Sequence, residues 1–274
     1  MSFAILTDTT RCTGCERCVD ACVEANHLGK DIHYRWREAD GLSGARYCSV
    51  VQVDAYHWVR KQCRHCLVPA CVAACPVGAL HKTEEGPVVY DREICMGCRY
   101  CMMACPYEIP RYMWEEAVPY VSKCTMCYEA MRRGEIQQPA CTEACPEQAT
   151  TFFTSREQAL AEAHRRINDN PGLYYEDRIW GEHQVGGSSV IYISDIDLGF
   201  LAGQGYKPLG DEPFPHFTER IMATVPTTFV AVTVAMAGTY LFIKRRDRVM
   251  AEETDQQQDL HELPDSDHDE EVEP

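Results

Sequence analysis

Residues 95–106 read Cys-Met-Gly-Cys-Arg-Tyr-Cys-Met-Met-Ala-Cys-Pro. The cysteines are separated by two, two and three residues and are followed by proline, a spacing with which bacterial proteins hold a [4Fe–4S] cubane. A cubane has an iron at each of its four corners, so one short loop supplies three thiolates and a cysteine from elsewhere supplies the fourth. A single zinc ion does not need three thiolates within seven residues. The stretch therefore predicts an iron–sulfur cluster.

The chain contains four such groups of four cysteines. The first has the same spacing without the proline, the second has its middle gap widened to four residues, and the last has thirteen residues between its second and third cysteines. Sixteen thiolates suffice for four [4Fe–4S] clusters. The predicted cluster-binding residues, which are also the predicted iron ligands, are Cys12, Cys15, Cys18, Cys22, Cys63, Cys66, Cys71, Cys75, Cys95, Cys98, Cys101, Cys105, Cys124, Cys127, Cys141 and Cys145.

Spacing alone does not decide which groups share their clusters. Groups two and three are separated by 19 residues and groups three and four by 18, so either pairing is sterically possible. Of the remaining candidates, Cys48 is predicted to be a buried structural cysteine. His65 lies between two predicted ligands, but sixteen cysteines already suffice, so it is not expected to bind iron.

Composition excludes several classes of protein. Seventeen cysteines in 274 residues do not indicate the disulfide framework of a small secreted chain. The net charge of −16 falls to −5 without the eleven acidic residues of 251–274, and no basic patch favours nucleic acid. We expect the acidic segment to be disordered.

The residues around the cysteine groups predict an α+β fold. Apolar and β-branched stretches indicate short strands that pair as small antiparallel ribbons, and the chain is expected to enter the first group directly from a strand. Ser155 begins a capping-box pattern for an amphipathic helix over 156–167, and Val190–Ile193 is predicted to be a strand. The aromatic residues of 34–36, 56–58 and 112–114 are expected to pack in the core or to shield the clusters.

Residues 221–243 predict a transmembrane helix. These 23 residues carry no charge, and at about 1.5 Å per residue they span a hydrocarbon core of about 30 Å. Lys244, Arg245 and Arg246 follow directly, so the positive-inside rule predicts a cytoplasmic tail and a periplasmic cluster domain. The first eight residues do not have the pattern of a signal peptide, and we therefore expect export together with a partner that carries a leader.

The cysteine groups, in this order and with these gaps, resemble the iron–sulfur β subunit of membrane-bound, periplasm-facing formate dehydrogenases and the homologous subunit of periplasmic nickel–iron hydrogenases. Supporting segments are Lys-Gln-Cys-Arg-His-Cys at 61–66, Cys-Pro-Tyr at 105–107, Lys-Cys-Thr-Met-Cys at 123–127 and Val-Gly-Gly at 185–187. The resemblance covers residues 7 to 243. It implies two ferredoxin-like halves, each binding two [4Fe–4S] clusters, followed by one C-terminal transmembrane helix.

The resemblance also implies which cysteines bind each cluster, with groups one and four interlocked and groups two and three interlocked. The implied ligand sets are set one (Cys12, Cys15, Cys18 and Cys145), set two (Cys22, Cys124, Cys127 and Cys141), set three (Cys63, Cys66, Cys71 and Cys105) and set four (Cys75, Cys95, Cys98 and Cys101). The expected domains are the four-cluster domain at 1–198, an extended connector at 199–220, the transmembrane helix at 221–243 and the cytoplasmic tail at 244–274.

The predicted function is single-electron transfer through four clusters of a respiratory complex in the bacterial inner membrane. The expected partners are a catalytic subunit of the molybdenum or tungsten formate dehydrogenase type or the nickel–iron hydrogenase type, an integral-membrane cytochrome or quinone-binding subunit, and the lipid bilayer. No catalytic residue is predicted, because no nucleophile, acid–base pair or nucleotide loop stands out. The alternatives are a quinone-reactive enzyme component with its own site near His216 and the membrane helix, and a structural zinc protein.

Overall fold

A computed structural model describes residues 2–29, 40–114, 116, 120–203 and 208–261. The chain divides into two units, residues 1–217 and 218–274. Within the described residues the first unit mixes short strands and short helices, as predicted for an α+β fold. Its strands are β1 (Ala4–Asp8), β2 (Cys48–Gln52), β3 (Trp58–Gln62), β4 (Leu80–Lys82), β5 (Val88–Tyr90), β6 (Arg111–Tyr112), β7 (Val121–Ser122), β8 (Thr150–Phe153) and β9 (Val190–Ile193). Its helices are α1 (Arg17–Ala25), α2 (Ala70–Ala73), α3 (Tyr100–Ala104), α4 (Tyr128–Arg132), α5 (Ala140–Glu143) and α6 (Arg156–Asp169), and α7 (Phe214–His261) crosses into the second unit.

A three-stranded sheet with the order β8-β1-β9 forms the centre of the first unit. Strand β1 pairs antiparallel with β8 and parallel with β9, and both β1 and β9 are buried along their whole length. Alternate residues of a strand point to opposite faces, so Leu6 packs in the apolar cluster that includes Ala163 of α6, whereas Ile5 packs in the cluster with Val59 and Met126. The second face therefore connects the sheet to the segments that carry cysteines.

Three antiparallel ribbons, β2–β3, β4–β5 and β6–β7, accompany this sheet. They confirm the prediction of short paired strands between the cysteine groups. The predicted strand Val190–Ile193 is β9, and the predicted first strand is β1. Helix α6 begins where the capping box placed it, because Ser155 Oγ accepts a hydrogen bond from the Gln158 backbone N–H at 3.3 Å; the helix ends at Asp169, two residues beyond the predicted end.

Helix α7 contains the predicted membrane span and is longer than predicted. It runs through Phe214–His261, whereas the sequence predicts a helix over 221–243 between an extended connector and a disordered tail. Lys, Arg, Glu and Gln have good helix propensity, which is why the polar residues after Ile243 continue the helix. Residues 262–274 of the predicted tail lie outside the described residues. The stretch Phe214–Glu253 is long and apolar enough to cross a membrane, by its length and composition.

Candidate iron–sulfur sites

The strands bring together cysteines that lie far apart in the sequence. Strand β1 leads into Cys12, and β8 follows Cys145 after a short loop. These two strands pair antiparallel, with Thr7 opposite Thr150, and the Asp8 backbone N–H donates to the Ala149 carbonyl at 2.7 Å. The end of β1 and the start of β8 therefore lie side by side, and the first and fourth cysteine groups meet there.

The four cysteines of set one line a common cavity, together with Arg60 and Thr150. Burial raises the pKa of the Cys12 thiol, and the neighbouring thiols of Cys145 and Cys15 raise it further. Burial also raises the pKa of Cys18 to about 12. A thiol that binds a metal is deprotonated outright, so iron would stabilise the thiolates that this site disfavours. The residues of set one fit a cluster.

Set two combines one cysteine of α1 with three from the fourth group. Burial raises the pKa of the Cys124 thiol, and Cys141 and Cys127 raise it further. Cys22 interacts first with Cys48, which lies outside the four sets, and then with Cys124 and Cys141. The side-chain amide of Asn26 lies at the edge of the set, with its Nδ2 atom 3.6 Å from the Cys22 sulfur and 4.0 Å from the Cys127 sulfur. Hydrogen bonds to cluster sulfurs affect the reduction potential, so Asn26 is a residue of functional interest.

Set three combines three cysteines of the second group with Cys105 of the third. Burial raises the pKa of Cys66 to about 12 and that of Cys105 to about 11, and each of these thiols interacts with Cys63. Cys71, at the second position of α2, interacts with the other three. The exchange of Cys105 into this set is the arrangement expected where two clusters share a run of four cysteines.

Set four combines Cys75 with three cysteines of the third group. Burial raises the pKa of the Cys101 thiol, and Cys95, Cys98 and Cys75 raise it further. The hairpin of β4 and β5 accounts for this meeting, since Cys75 precedes the first strand and Cys95 follows the second. The Tyr112 hydroxyl lies 3.8 Å from the Cys101 sulfur.

The four sets form a series. Cys18 of set one interacts with Cys141 of set two, and Cys124 of set two interacts with Cys63 of set three. Cys71 of set three packs against the same apolar cluster as Cys75 and Cys101 of set four. The structure thus places cysteines of different groups close together, and set one lines a common cavity; the division of all sixteen into four sets in this order stays a prediction.

The loop between the first two cysteines of each group has the same conformation at one position. The residue before the second cysteine has a positive φ in all four groups, with values of 72° at Gly14, 49° at His65, 71° at Gly97 and 60° at Met126. Non-glycine residues rarely adopt this region, so the repeat indicates a common requirement of the loop. The sequence indicates it only where the residue is glycine.

His65 and Cys48 occupy buried positions with identifiable partners. The Nδ1 atom of His65 accepts the Val88 backbone N–H at 2.9 Å. Cys48 is 1% exposed, donates to the Cys18 carbonyl at 3.6 Å and packs beside Val19. The burial of Cys48 agrees with the structural role that the sequence predicts for it, whereas the expectation that His65 does not bind iron stays a prediction.

The predicted aromatic residues take different positions. Trp58 packs on the first cysteine loop, because a Cβ atom added to Gly14 would lie 2.6 Å from its ring. Tyr112 is buried with Trp114 beside set four. Tyr56 is 81% exposed and shields no cluster in the described structure. The aromatic residues of 34–36 lie outside the described residues.

Buried cations near the sulfurs were not predicted from the sequence; besides Arg64 beside Cys66, they include Arg60 and Lys123. Arg60 is 3% exposed and donates to Thr150 Oγ1 at 3.0 Å. Lys123 is also 3% exposed; its Nζ atom donates to the Cys124 carbonyl at 2.9 Å and lies 3.9 Å from the Cys63 sulfur. Nothing in the local sequence distinguishes these residues from solvated charges such as Arg132, which is exposed and paired with a glutamate.

Among the described residues, no three His, Cys, Asp or Glu side chains converge closely enough to hold one metal ion. A cubane imposes a different geometry, because each thiolate binds its own corner iron and the sulfurs stand apart around the cluster. The cavity of set one, with four cysteines around a shared space, favours that geometry over the tetrahedral coordination of a single zinc ion.

Residues 55–155 match the family described as a 4Fe-4S dicluster domain. This segment contains the second, third and fourth cysteine groups. The chain is 36% identical to a protein of Nitratidesulfovibrio vulgaris over 263 residues, which cover 92% of this chain and 70% of that protein. It is 30% identical to the hydrogenase-2 operon protein HybA of Escherichia coli O157:H7 over 287 residues, covering 90% of this chain and 85% of HybA.

The chain belongs to the 4Fe–4S electron-transfer subunits of oxidoreductase complexes. A further relative in this family is the probable anaerobic dimethyl sulfoxide reductase chain YnfG of Escherichia coli K12, which is 39% identical over 159 residues, covering 55% of this chain and 72% of YnfG. These findings confirm the predicted iron–sulfur electron-transfer function and the resemblance to hydrogenase subunits. The resemblance to formate dehydrogenase subunits stays a prediction.

Proposed function

We propose that this electron-transfer subunit holds four [4Fe–4S] clusters, one in each cysteine set, and that electrons pass along the series between a catalytic subunit and a membrane subunit. The observation that supports the proposal is that cysteines of different groups lie together, most directly Cys12, Cys15, Cys18 and Cys145 around one cavity. The proposal also divides the first unit into two ferredoxin-like halves. One half contains sets one and two, and the other contains sets three and four.

The clusters, when bound, supply one-electron transfer over a range of potentials set by their surroundings. The chain's own residues hold the thiolates in place, exclude water from the buried members of each set and direct polar groups at the sulfurs. Asn26 directs its amide to two sulfurs of set two, and the Met126 backbone N–H donates to the Cys124 sulfur at 3.3 Å. Burial and hydrogen bonds of this kind are the means by which a protein adjusts cluster potentials.

We further propose that α7 anchors the chain in the inner membrane. Between residues 221 and 243 this helix carries no charged side chain and exposes large apolar ones; for example, Phe229 is 73% exposed and Phe242 is 70% exposed. A helix that is apolar all round is buried in lipid or in protein. Positive charges at 244–248 support a cytoplasmic C-terminus and a periplasmic cluster domain.

The domain boundaries proposed from the sequence are 1–198, 199–220, 221–243 and 244–274. The relatives HybA and YnfG carry the names of hydrogenase and dimethyl sulfoxide reductase proteins, so the proposed catalytic partner belongs to one of these enzyme classes or to the formate dehydrogenases. The proposed membrane partner is a cytochrome or quinone-binding subunit. Mild detergent extraction followed by identification of the co-purifying subunits tests both proposals.

Iron analysis tests the four-cluster proposal directly. The intact chain, prepared anaerobically in its complex, is expected to contain about sixteen irons, four for each cubane. Replacing Cys98, an exposed member of set four, with alanine is expected to remove or disrupt one cluster and to leave the other three. The matched control is Cys48→Ala, which removes the one cysteine outside the four sets and is expected to leave the iron content unchanged.

A parent protein with markedly fewer than sixteen irons would contradict the proposal. Equal losses of iron from Cys98→Ala and Cys48→Ala would also contradict the proposed ligand sets. The quinone-reactive alternative near His216 requires a site of its own, and His216 is exposed at the start of α7. No observation in the described structure favours that alternative over electron transfer.

A further inference from the structure

Arg60 is a buried guanidinium at the junction between set one and set two. It belongs to β3, its side chain is 3% exposed, and its Nη1 atom donates to the neutral hydroxyl of Thr150. Its Nε atom has no hydrogen-bond partner in the described structure. No carboxylate of the described residues forms an ion pair with it, in contrast to Arg166, whose guanidinium contacts the buried carboxylate of Asp8 at 3.1 Å.

The surroundings of Arg60 are sulfur atoms of both sets and of Cys48, which belongs to neither set. Arg60 lines the cavity of set one. Its charge acts on the thiols of Cys12 and Cys18 in set one, on Cys141 in set two and on Cys48, and its side chain also hydrogen-bonds Cys141 and Cys48. Burial of an unpaired charge is costly, so a position of this kind requires compensation. Thiolates and the clusters they bind would supply that compensation, because a cubane with four thiolates carries negative charge that increases on reduction.

We propose that Arg60 raises the reduction potentials of the two clusters held by set one and set two, and so favours the electron at this junction of the series. This inference rests on the proposed ligand sets. A fixed positive charge stabilises the reduced form of a neighbouring cluster more than the oxidised form, since the reduced form carries one more negative charge. Buried charges are screened far less than exposed ones, so the effect is expected to be large for Arg60 and small for a surface arginine.

The positive charge of Arg60 can be removed by replacing Arg60 itself, or offset by placing a carboxylate at position 150. Arg60→Met removes the guanidinium, and Arg60→Lys retains a positive charge at the same position. Thr150→Asp places a carboxylate where Arg60 now finds a hydroxyl and cancels its charge, whereas Thr150→Asn is the uncharged control of similar shape. Arg132→Met removes an exposed arginine that is 61% exposed and paired with a glutamate, and controls for the change in net charge.

The measurement is a potentiometric titration followed by electron paramagnetic resonance, on the full chain in its complex and with iron counted in every sample. We expect Arg60→Met and Thr150→Asp to lower two of the four midpoint potentials by at least about 59 mV, which is a tenfold change in a one-electron reduction equilibrium. For the other two clusters the reduction equilibrium should change by less than a factor of two. All four reduction equilibria should change by less than a factor of two in each of the three control variants, which are Arg60→Lys, Thr150→Asn and Arg132→Met.

Several results would overturn the inference. If Arg60→Met retains sixteen irons and its potentials equal those of the parent, Arg60 does not tune the clusters, although the four-cluster proposal would stand. A fall in potential for Arg60→Lys as large as that for Arg60→Met would show that the charge is not the cause. Arg60→Met and Thr150→Asp could both fail to bind sixteen irons while their matched controls, Arg60→Lys and Thr150→Asn, bind them. Arg60 would then act in assembly, and the tuning role would be rejected.

Discussion

Gly14, between the first two cysteines of group one, is the position where a single methyl group is expected to disrupt one site. Its φ is 72°, and an added Cβ would lie 2.6 Å from Cδ1 and 2.7 Å from Nε1 of Trp58. Gly78, close to Cys75 in the sequence, has nearly the same φ of 69°, yet a Cβ added there meets nothing within 4 Å. The two glycines therefore share the conformational requirement and differ in the space around them.

This pair separates two contributions to the cost of Gly→Ala. An alanine in the left-handed region costs about 1–2 kcal/mol, and that contribution applies to both positions. Overpacking adds about 1–3 kcal/mol where neighbouring atoms have to move, and that contribution applies only at Gly14. Gly14→Ala is thus expected to destabilise the loaded protein by about 2–5 kcal/mol, against about 1–2 kcal/mol for Gly78→Ala.

The assay is the thermal loss of the clusters' visible absorbance, with iron counted beforehand. For a domain of this size 1 kcal/mol corresponds to about 2–4 °C in the midpoint, so Gly14→Ala should melt about 2–12 °C below Gly78→Ala. The double variant Gly14→Ala/Trp58→Ala removes the ring that the methyl group would meet. Relative to Trp58→Ala alone, the added alanine should then cost only about 1–2 kcal/mol, the conformational part.

The reasoning would be refuted by equal midpoints for Gly14→Ala and Gly78→Ala. It would also be refuted if the cost of Gly14→Ala were the same with and without the Trp58 ring. Either result would mean that the first cysteine loop does not depend on close packing against Trp58.

Two further predictions concern polar groups near the sites. Replacing Asn26 with leucine removes an amide that contacts two sulfurs of set two. A net hydrogen-bond contribution of about 0.5–1.5 kcal/mol corresponds to a potential lowered by about 20–60 mV, which the same redox titration measures. An unchanged potential would contradict a tuning role for Asn26. His57 contacts Asp54 at 2.7 Å and Asp195 at 3.1 Å, and the hydrogen bond to Asp54, followed by the charge of Asp195, raises its pKa. Because the pKa of His57 is raised in the folded state, the stabilisation is complete below the unfolded pKa of about 6.5 and is lost as pH rises through the folded pKa. The thermal midpoints of the parent and His57→Gln should therefore differ at pH 5.5 and converge by pH 9. A difference that persists at pH 9 would contradict this account.

Several elements of the fold were predictable because their signals are local. The capping box at Ser155 and the strand Val190–Ile193 depend on neighbouring residues, and both occur as predicted. The end of α7 was not predictable from hydropathy, because helix propensity continues past the apolar stretch to His261. Buried cations such as Arg60 and Lys123 were missed, since burial depends on which segments pack over a side chain.

The amino-acid sequence by itself determined the cofactor class, because three thiolates at two-residue intervals suit the corners of one cubane within a single loop. It also determined the number of cysteine groups. Spacing within the groups left open which groups meet; the resemblance implied the pairing, and only the tertiary structure provides its physical basis. The antiparallel pairing of β1 with β8 brings Cys145 to Cys12, and the β4–β5 hairpin brings Cys75 to Cys95. The physical reason is that a fourth ligand is selected by strand pairing over long sequence separations, which spacing within a loop does not encode.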